Sequence, residues 1–359
     1  MTKTVSARRL LAHFACAASL FVSGTATATP VLVIDTATHQ VLHQEDAGAP
    51  WYPASTTKLM TALVVFEALR SGEVTLSTPV VMTPNATKQA FLESGLTLGR
   101  TMTLEDALFA TLTASANDVA VALAETIARN EATFVQRMNA TAARLGMTGT
   151  HFSSPNGLFN KTNYTTARDM AVLGMAIDRA FPEYARFFQG SAVTIDGKEI
   201  KSNNTLLTRF TGTVGMKTGF LCASGRNYVG LATRNGKRLM VVIMGATTER
   251  ERDERAAQYL QEAFEGRLSP SAPVETIANR TDLAPQDMRV RLCTDKSVAY
   301  EAEREALYPM GLPGHESFLK DQIPGQIHTI ATWQTEIAPV VPLPAQRPAQ
   351  APAAPSPAG

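Results

Sequence analysis

Trp51-Tyr-Pro-Ala-Ser55-Thr-Thr-Lys58-Leu-Met-Thr-Ala-Leu-Val-Val-Phe-Glu-Ala-Leu69 is the stretch from which the rest of the chain can be read. Thr56 to Leu69 is apolar almost all round, with Leu59, Met60, Ala62, Leu63, Val64, Val65 and Phe66 close together. A helix with so little polar face belongs inside a core rather than on a surface. Ser55 and Lys58 stand at its start, and a separation of three sets them on one face. A lysine turned inward there is costly unless it is paired or its pKa falls.

On either side of this helix the pattern changes. Upstream, Val31 begins an alternating strand, the chain turns near Thr36 to His39, and it returns through Val41 to His43. Downstream lies a helix-rich middle. Thr103-Leu-Glu-Asp106 reads as a capping box before Leu108 and Phe109, and Asn117 to Arg129 reads as helix. Ala132 to Leu145 is a third helix, stopped at Gly146, and Thr166-Ala-Arg-Asp169 caps a fourth that reaches about Ala180. Strands then return: Val193 to Ile200 with a turn at Asp196-Gly197, and Tyr228 to Thr233 and Arg238 to Met244 around Asn235-Gly236, a strong hairpin signal. A charged helix, Thr248 to Phe264, ends at Gly266. Strands at both ends with helices between them predict an α+β fold: an antiparallel sheet whose first and last strands meet, flanked by helices, with a mostly helical insertion. Residues 271 to 337 read either as a small β-rich appendage or as a segment lying along the main domain.

Composition narrows the function. Lys and Arg total 33 against 32 for Asp and Glu, a net charge of +1 that argues against a dedicated nucleic-acid binder. Hydrophobic residues make up 45% and charged residues 18%, an ordinary globular balance. The N-terminus reads as a secretory signal over residues 1–28, with Lys3, Arg8 and Arg9 before an apolar run from Leu10 to Val22 and an Ala26-Thr27-Ala28 cleavage site. A retained membrane anchor fits less well, because the run is short of the roughly 20 residues that a span needs and His13 and Ser19 interrupt it. No later stretch reads as a span. Cleavage would leave Cys222 and Cys293 in an oxidising compartment, where two cysteines invite one disulfide; the alternative is two buried thiols. The bridge would close a loop of about 70 residues and contribute on the order of 4 kcal/mol. Residues 338–359 form a Pro/Ala-rich tail, expected to be extended or disordered for want of proline N–H groups.

Most kinds of chemistry lack their residues. There is no HExxH and no Cys/His cluster, so no metal site is expected, and no cofactor is called for. His39 and His43 have no ligand logic in their spacing. There is no GxSxG elbow. Gly212-Thr-Val-Gly-Met-Lys-Thr218 superficially resembles a phosphate-binding loop, but Met216 precedes Lys217 where glycine is required, and a strand follows. Three short motifs remain, in order: Ser55-Thr-Thr-Lys58, Ser115-Ala-Asn117 and Lys217-Thr-Gly219. Each alone is weak. The second can be read as a helix cap before Asp118, and the third as an ordinary strand end.

Together with their flanks, the motifs resemble the serine D-Ala-D-Ala carboxypeptidases, low-molecular-mass penicillin-binding proteins related in fold to serine β-lactamases. The resemblance covers about residues 31 to 266. It takes in Trp51-Tyr-Pro-Ala-Ser55, Ser153-Ser-Pro-Asn-Gly157, Tyr164-Thr-Thr-Ala-Arg-Asp169 and Gly215-Met-Lys-Thr-Gly-Phe220. It implies a β-lactamase/transpeptidase-like catalytic domain over 29–270, followed by a small C-terminal region over 271–337. In that reading Ser55 is the nucleophile, and Lys58, the only titratable group tied to it by local geometry, is its base. Burial and a second cation, Lys217, would both push the Lys58 pKa down. The Ser55 and Phe220 N–H groups would form the oxyanion hole. Lys217 and Thr218, with Gly219 on the same edge strand, would hold the terminal carboxylate. Ser115 would pass a proton to the leaving D-alanine, and Asn117 would hydrogen-bond the substrate backbone.

The implied partners are a peptidoglycan stem peptide ending in D-Ala-D-Ala and, as inhibitors, β-lactams; nucleic acid and metal are not expected. Alternatives with the same motifs are a D,D-endopeptidase that cuts crosslinks, a class A β-lactamase, and a non-catalytic wall-binding protein. Ser153 to Asp169 contains no glutamate to activate a deacylating water, which disfavours the β-lactamase. The tail offers no amphipathic helix to rest on a membrane, so the expectation is a soluble periplasmic enzyme.

Overall fold

The computed structural model describes residues 29–91 and 94–336, so the expected signal segment and the Pro-rich tail lie outside the described residues. The chain enters through β1 (Val31–Asp35) and β2 (Val41–Glu45), and a 3-10 turn at Ala54–Thr57 leads into α1 (Lys58–Arg70). Two short strands, β3 (Pro79–Val81) and β4 (Arg100–Thr103), precede α2 (Leu104–Leu112), α3 (Asn117–Ala128) and α4 (Glu131–Arg144). After α5 (Ala167–Ala180) come the hairpin β5 (Ala192–Ile195) and β6 (Lys198–Lys201), and the short α6 (Leu206–Arg209). The long strands β7 (Thr213–Leu221), β8 (Gly225–Arg234) and β9 (Lys237–Ala246) follow, then α7 (Glu249–Phe264).

The main sheet has the order β2-β1-β9-β8-β7 and is antiparallel throughout, with β1 against β9 as the meeting of first and last strands requires. Both its faces are covered, and the alternation of side chains sorts the residues between them. Leu32, Ile34, Met240 and Val242 join the core around α1 and α5, whereas Val31, Val33, Val241 and Ile243 join Ala256, Ala257 and Leu260 of α7. At the β8–β9 turn, Asn235 and Gly236 take φ of 48° and 77°, the two left-handed residues that a tight hairpin needs.

Helix α1 is buried from Lys58 through Phe66 and touches α2, α3, α4, α5 and β7. Its Phe66 ring packs among Phe181, Tyr184, Phe187 and Phe188. Side-chain caps start α2, α4, α5 and α7: Thr103 Oγ1 accepts from the Asp106 N–H, Asn130 Oδ1 from Thr133, Thr166 Oγ1 from Asp169 and Thr248 Oγ1 from Glu251. These bonds satisfy amides that a helix start leaves open.

Residues 271–336 run along the body of the domain. Met288 is fully buried in the main core, beside α8 (Arg289–Leu292) and α9 (Ser297–Leu307). Strand β10 (Ile327–Ile330) adds to β5 in parallel, and β11 (Trp333–Gln334) pairs with β4. Cys222 and Cys293 form a disulfide, with Cα atoms 5.9 Å apart. Among the described residues no helix is long and apolar enough to cross a membrane.

Candidate active site

Ser55 sits on a corner that the surrounding structure forces into shape. The preceding Ala54 has φ of 49°, in the left-handed region that a residue with a Cβ rarely adopts. Asn227, on β8, donates from Nδ2 to the carbonyls of Tyr52 and Pro53 and accepts the Gly245 N–H on Oδ1. Trp51 donates its indole N–H to the Ser224 carbonyl. Gly157 presses close from the other side: a Cβ there would lie 2.0 Å from the Ala54 carbonyl oxygen. The corner is thus held from β8, β9 and the 153–157 loop at once.

One helical turn separates Ser55 from Lys58, and the lysine Nζ closes the gap. It donates to Ser55 Oγ at 2.8 Å, to Asn117 Oδ1 at 2.7 Å and to the Asn156 carbonyl at 2.8 Å. Burial is complete for Lys58, while Ser55 remains partly open to the cleft. Asn156 is itself fixed, donating to Gln89 Oε1 at 2.9 Å and accepting the Leu158 N–H at 3.1 Å.

A second serine–lysine pair faces the first. Ser115, with φ of 60°, precedes α3 but does not cap it; the cap position is Ala116, with no side-chain bond. The Ser115 hydroxyl instead accepts from Lys217 Nζ at 3.0 Å, and Lys217 also donates to the Thr218 carbonyl at 3.0 Å. Asn117 spends its side chain within the protein, taking Lys58 on Oδ1 and donating from Nδ2 to the carbonyls of Ala90 and Phe91. Its neighbour Asp118 is buried against Ser94, and burial holds its carboxyl above the usual range despite that hydrogen bond.

Among the described residues strand β7 is an edge of the main sheet, with no strand beside its outer row of backbone groups. Gly219 brings this edge against Ser55, where a Cβ would stand 2.9 Å from the serine nitrogen. Only glycine lets the two backbones come so near. Phe220, the next residue, is half exposed, with the Arg226 guanidinium over its ring.

These groups share one cleft of 330 Å³, whose lining includes Ser55, Ser115, Asn117, Thr218, Gly219 and Phe220. A larger cavity of 670 Å³, bordered by Phe210, Arg234 and Lys320, contains none of the motif residues. Among the described residues no cluster of three or more His, Cys, Asp or Glu side chains could hold a metal.

Several contributors escaped the sequence reading. The Asn156 carbonyl leaves no trace in residue type, although its loop was noted as a flank. Asn227 looks like one polar residue in a strand, and its partners are 174 and 175 residues away. Arg252 lines the cleft, bonded to Asp253 and the Asn203 carbonyl, yet sits in a helix whose charge density reads as a solvated face.

Comparison with known proteins agrees with this geometry. The family model for D-alanyl-D-alanine carboxypeptidases matches residues 17–248. D-alanyl-D-alanine carboxypeptidase DacA of Haemophilus influenzae is 35% identical over 218 residues, 59% of this chain and 56% of that protein. DacC of Escherichia coli is 32% identical, over 65% of this chain and 60% of its own length. The chain therefore spans less than two thirds of these curated relatives. Among solved structures, penicillin-binding protein 5 of H. influenzae superposes with a TM-score of 0.63 at 31% identity, covering 67% of this chain and 71% of that one. Penicillin-binding protein D2 of Listeria monocytogenes, solved in a cefotaxime-bound form, gives 0.60 at 30% identity, covering 66% of this chain and 96% of that one. The fold is that of the penicillin-binding proteins and transpeptidases, and the chain belongs to the D-alanyl-D-alanine carboxypeptidase family, Peptidase S11.

Proposed function

We propose that the protein is a serine D-Ala-D-Ala carboxypeptidase that removes the terminal D-alanine from peptidoglycan stem peptides. One observation carries this reading: two serines, each hydrogen-bonded to its own buried lysine, open onto the same cleft beside a free strand edge. A charged Lys58 spends three N–H groups on Ser55, Asn117 and Asn156. As a neutral amine it keeps two N–H groups, enough for Asn117 and Asn156, and turns its lone pair to Ser55. In that state Lys58 takes the Ser55 proton as Oγ attacks the carbonyl of the penultimate D-alanine. The developing oxyanion accepts from the Ser55 and Phe220 N–H groups.

Lys217 and Thr218 hold the terminal carboxylate. Because Ser115 Oγ accepts from Lys217, its own proton is left to point into the cleft toward the leaving nitrogen. The C–N bond breaks, the amine takes that proton, the proton that Lys58 took from Ser55 restores the Ser115 hydroxyl, and D-alanine departs. Water then attacks the ester, which returns a proton to Ser55 and frees the shortened peptide. Asn117, through Lys58, is a positioning residue.

A β-lactam presents an amide and carboxylate in similar relation and would acylate Ser55. The leader-like residues 1–28 support export to the periplasm. The catalytic unit is assigned to residues 29–270, with 271–337 as an accessory region and 338–359 as a tail. Benzylpenicillin followed by peptide mass mapping tests the nucleophile. The expected adduct lies on the peptide carrying Ser55 and is missing in Ser55→Ala; an unchanged mass for the wild type would overturn the assignment.

A further inference from the structure

The Cys222–Cys293 disulfide fastens the C-terminal segment beside the cleft. Cys222 lines the cleft just beyond β7, and its bridge to Cys293 fastens residues 288–293 there. The Met288 N–H donates to the Ala223 carbonyl at 3.0 Å, and the Met288 side chain is fully buried. This anchoring brings the Arg289 guanidinium over the Phe159 ring, 4.7 Å from its centroid. Phe159 in turn meets Tyr52 edge-on at 5.2 Å, three residues before the nucleophile, and its neighbour Leu158 lines the cleft. The result is a shelf of Phe159 and Arg289 at the Cys222 end of the cleft.

The direction of β7 tells which part of a substrate would meet the shelf. If Lys217 and Thr218 hold the terminal carboxylate and Ser55 cuts opposite Gly219, an extended peptide lies antiparallel to the β7 edge. Its upstream residues then pass Phe220 and Leu221 and arrive at Cys222. The residue just before the D-Ala-D-Ala pair is the one that reaches Arg289. Arg289 gives Nε and one Nη to Asp287, and among the described residues no protein group takes the other Nη. Lys161 acts electrostatically on the same Asp287, so two cations stand here against one carboxylate.

We propose that the Phe159–Arg289 shelf, pinned by the Cys222–Cys293 disulfide, is a specificity subsite for a carboxylate-bearing side chain on the residue that precedes D-Ala-D-Ala. This rests on the carboxypeptidase reading for the direction of the peptide. The apolar ring supports the stem of the side chain, and the guanidinium donates to its carboxylate in the plane that Arg presents.

The test uses two peptides, N-acetyl-Glu-D-Ala-D-Ala and N-acetyl-Gln-D-Ala-D-Ala, which differ by one charge. Binding to the Ser55→Ala protein, read by calorimetry, should favour the glutamate peptide about five-fold, the size expected of a half-exposed charged hydrogen bond. Arg289→Gln in that background should erase the preference, Asp287→Asn should enlarge it, and Cys293→Ser, which releases the segment, should erase it too. With Ser55 present, the same preference should appear in KM for D-alanine release rather than in kcat. Equal binding of the two peptides, no binding of either, or a preference that survives Arg289→Gln would overturn the subsite; survival in Cys293→Ser would overturn the part given to the disulfide. A preference that depends on Arg289 without D-alanine release from the wild type would keep the subsite and overturn the carboxypeptidase.

Discussion

The Ser55 corner and the inner face of α7 both bury charge, and they do so in opposite ways. At the Ser55 corner, the partners of Lys58 and Lys217 include the two serine hydroxyls that face the cleft, along with an amide oxygen and backbone carbonyls. At the inner face of α7, Arg255 and Arg304 both donate to the Glu251 carboxylate, and Thr29 accepts from each of the two arginines. A carboxylate between two guanidiniums is a fixed arrangement: no proton need move, and the group ties α9 and Thr29, which precedes β1, to α7. A lysine that holds a serine hydroxyl beside an open cleft can take up and give back a proton while its other bonds keep it in place. Burial and charge together therefore do not mark chemistry; the kind of partner and access to a cleft do.

The comparison can be broken most severely at Lys58. Replacing it by alanine should slow penicillin acylation by about 10²–10⁴-fold, the range for loss of a general base. Circular dichroism should show the fold retained; an acylation rate close to wild type would end the distinction between the two clusters. At α7 the opposite split is expected. Glu251→Gln leaves Arg255 and Arg304 buried with their carboxylate removed, a cost of about 3–5 kcal/mol for a broken buried pair. Denaturant unfolding should register that loss, while the acylation rate of the folded protein stays near wild type.

Cys293→Ser should cost somewhat less, about 2–4 kcal/mol on the chain-entropy account of a crosslink. Unchanged denaturation midpoints would show that residues 271–336 stay docked without it. The smallest effect concerns Glu45, beside the α7 cluster. A hydrogen bond from His43 and another from the Tyr259 hydroxyl hold its carboxyl below the ordinary value of 4.5, with burial opposing them. Its contribution to stability is therefore full above pH 4.5 and fades as pH falls through the lowered folded value. The stability gap between wild type and Glu45→Gln should shrink in acid; a gap independent of pH would remove Glu45 from the network.

Much of this was legible in the sequence because the cues were local. The apolar run of α1, the threonine caps at 103 and 166 and the Asn235-Gly236 turn each depend on neighbours within a few residues. The pairing of β1 with β9 followed from where strands fell along the chain. The two serine–lysine pairs differ in this respect. Ser55 and Lys58 share a helical turn, so their contact was predictable, whereas Ser115 and Lys217 are 102 residues apart and met only through the resemblance to a family. Asn156 contributes a carbonyl, which every residue has. Asn227, and Arg252 in its bond to the Asn203 carbonyl, act through partners that only the folded chain brings near. The course of residues 271–336 was least readable, because short strands that pair with β4 and β5 carry little periodicity of their own.

D-alanine release from a soluble pentapeptide ending in D-Ala-D-Ala, measured for the mature protein and for Ser55→Ala, tests the central claim most directly. The account predicts steady release by the wild type and none above background in the variant. Release that persists in Ser55→Ala, or a wild type that binds benzylpenicillin but frees no D-alanine, would contradict it.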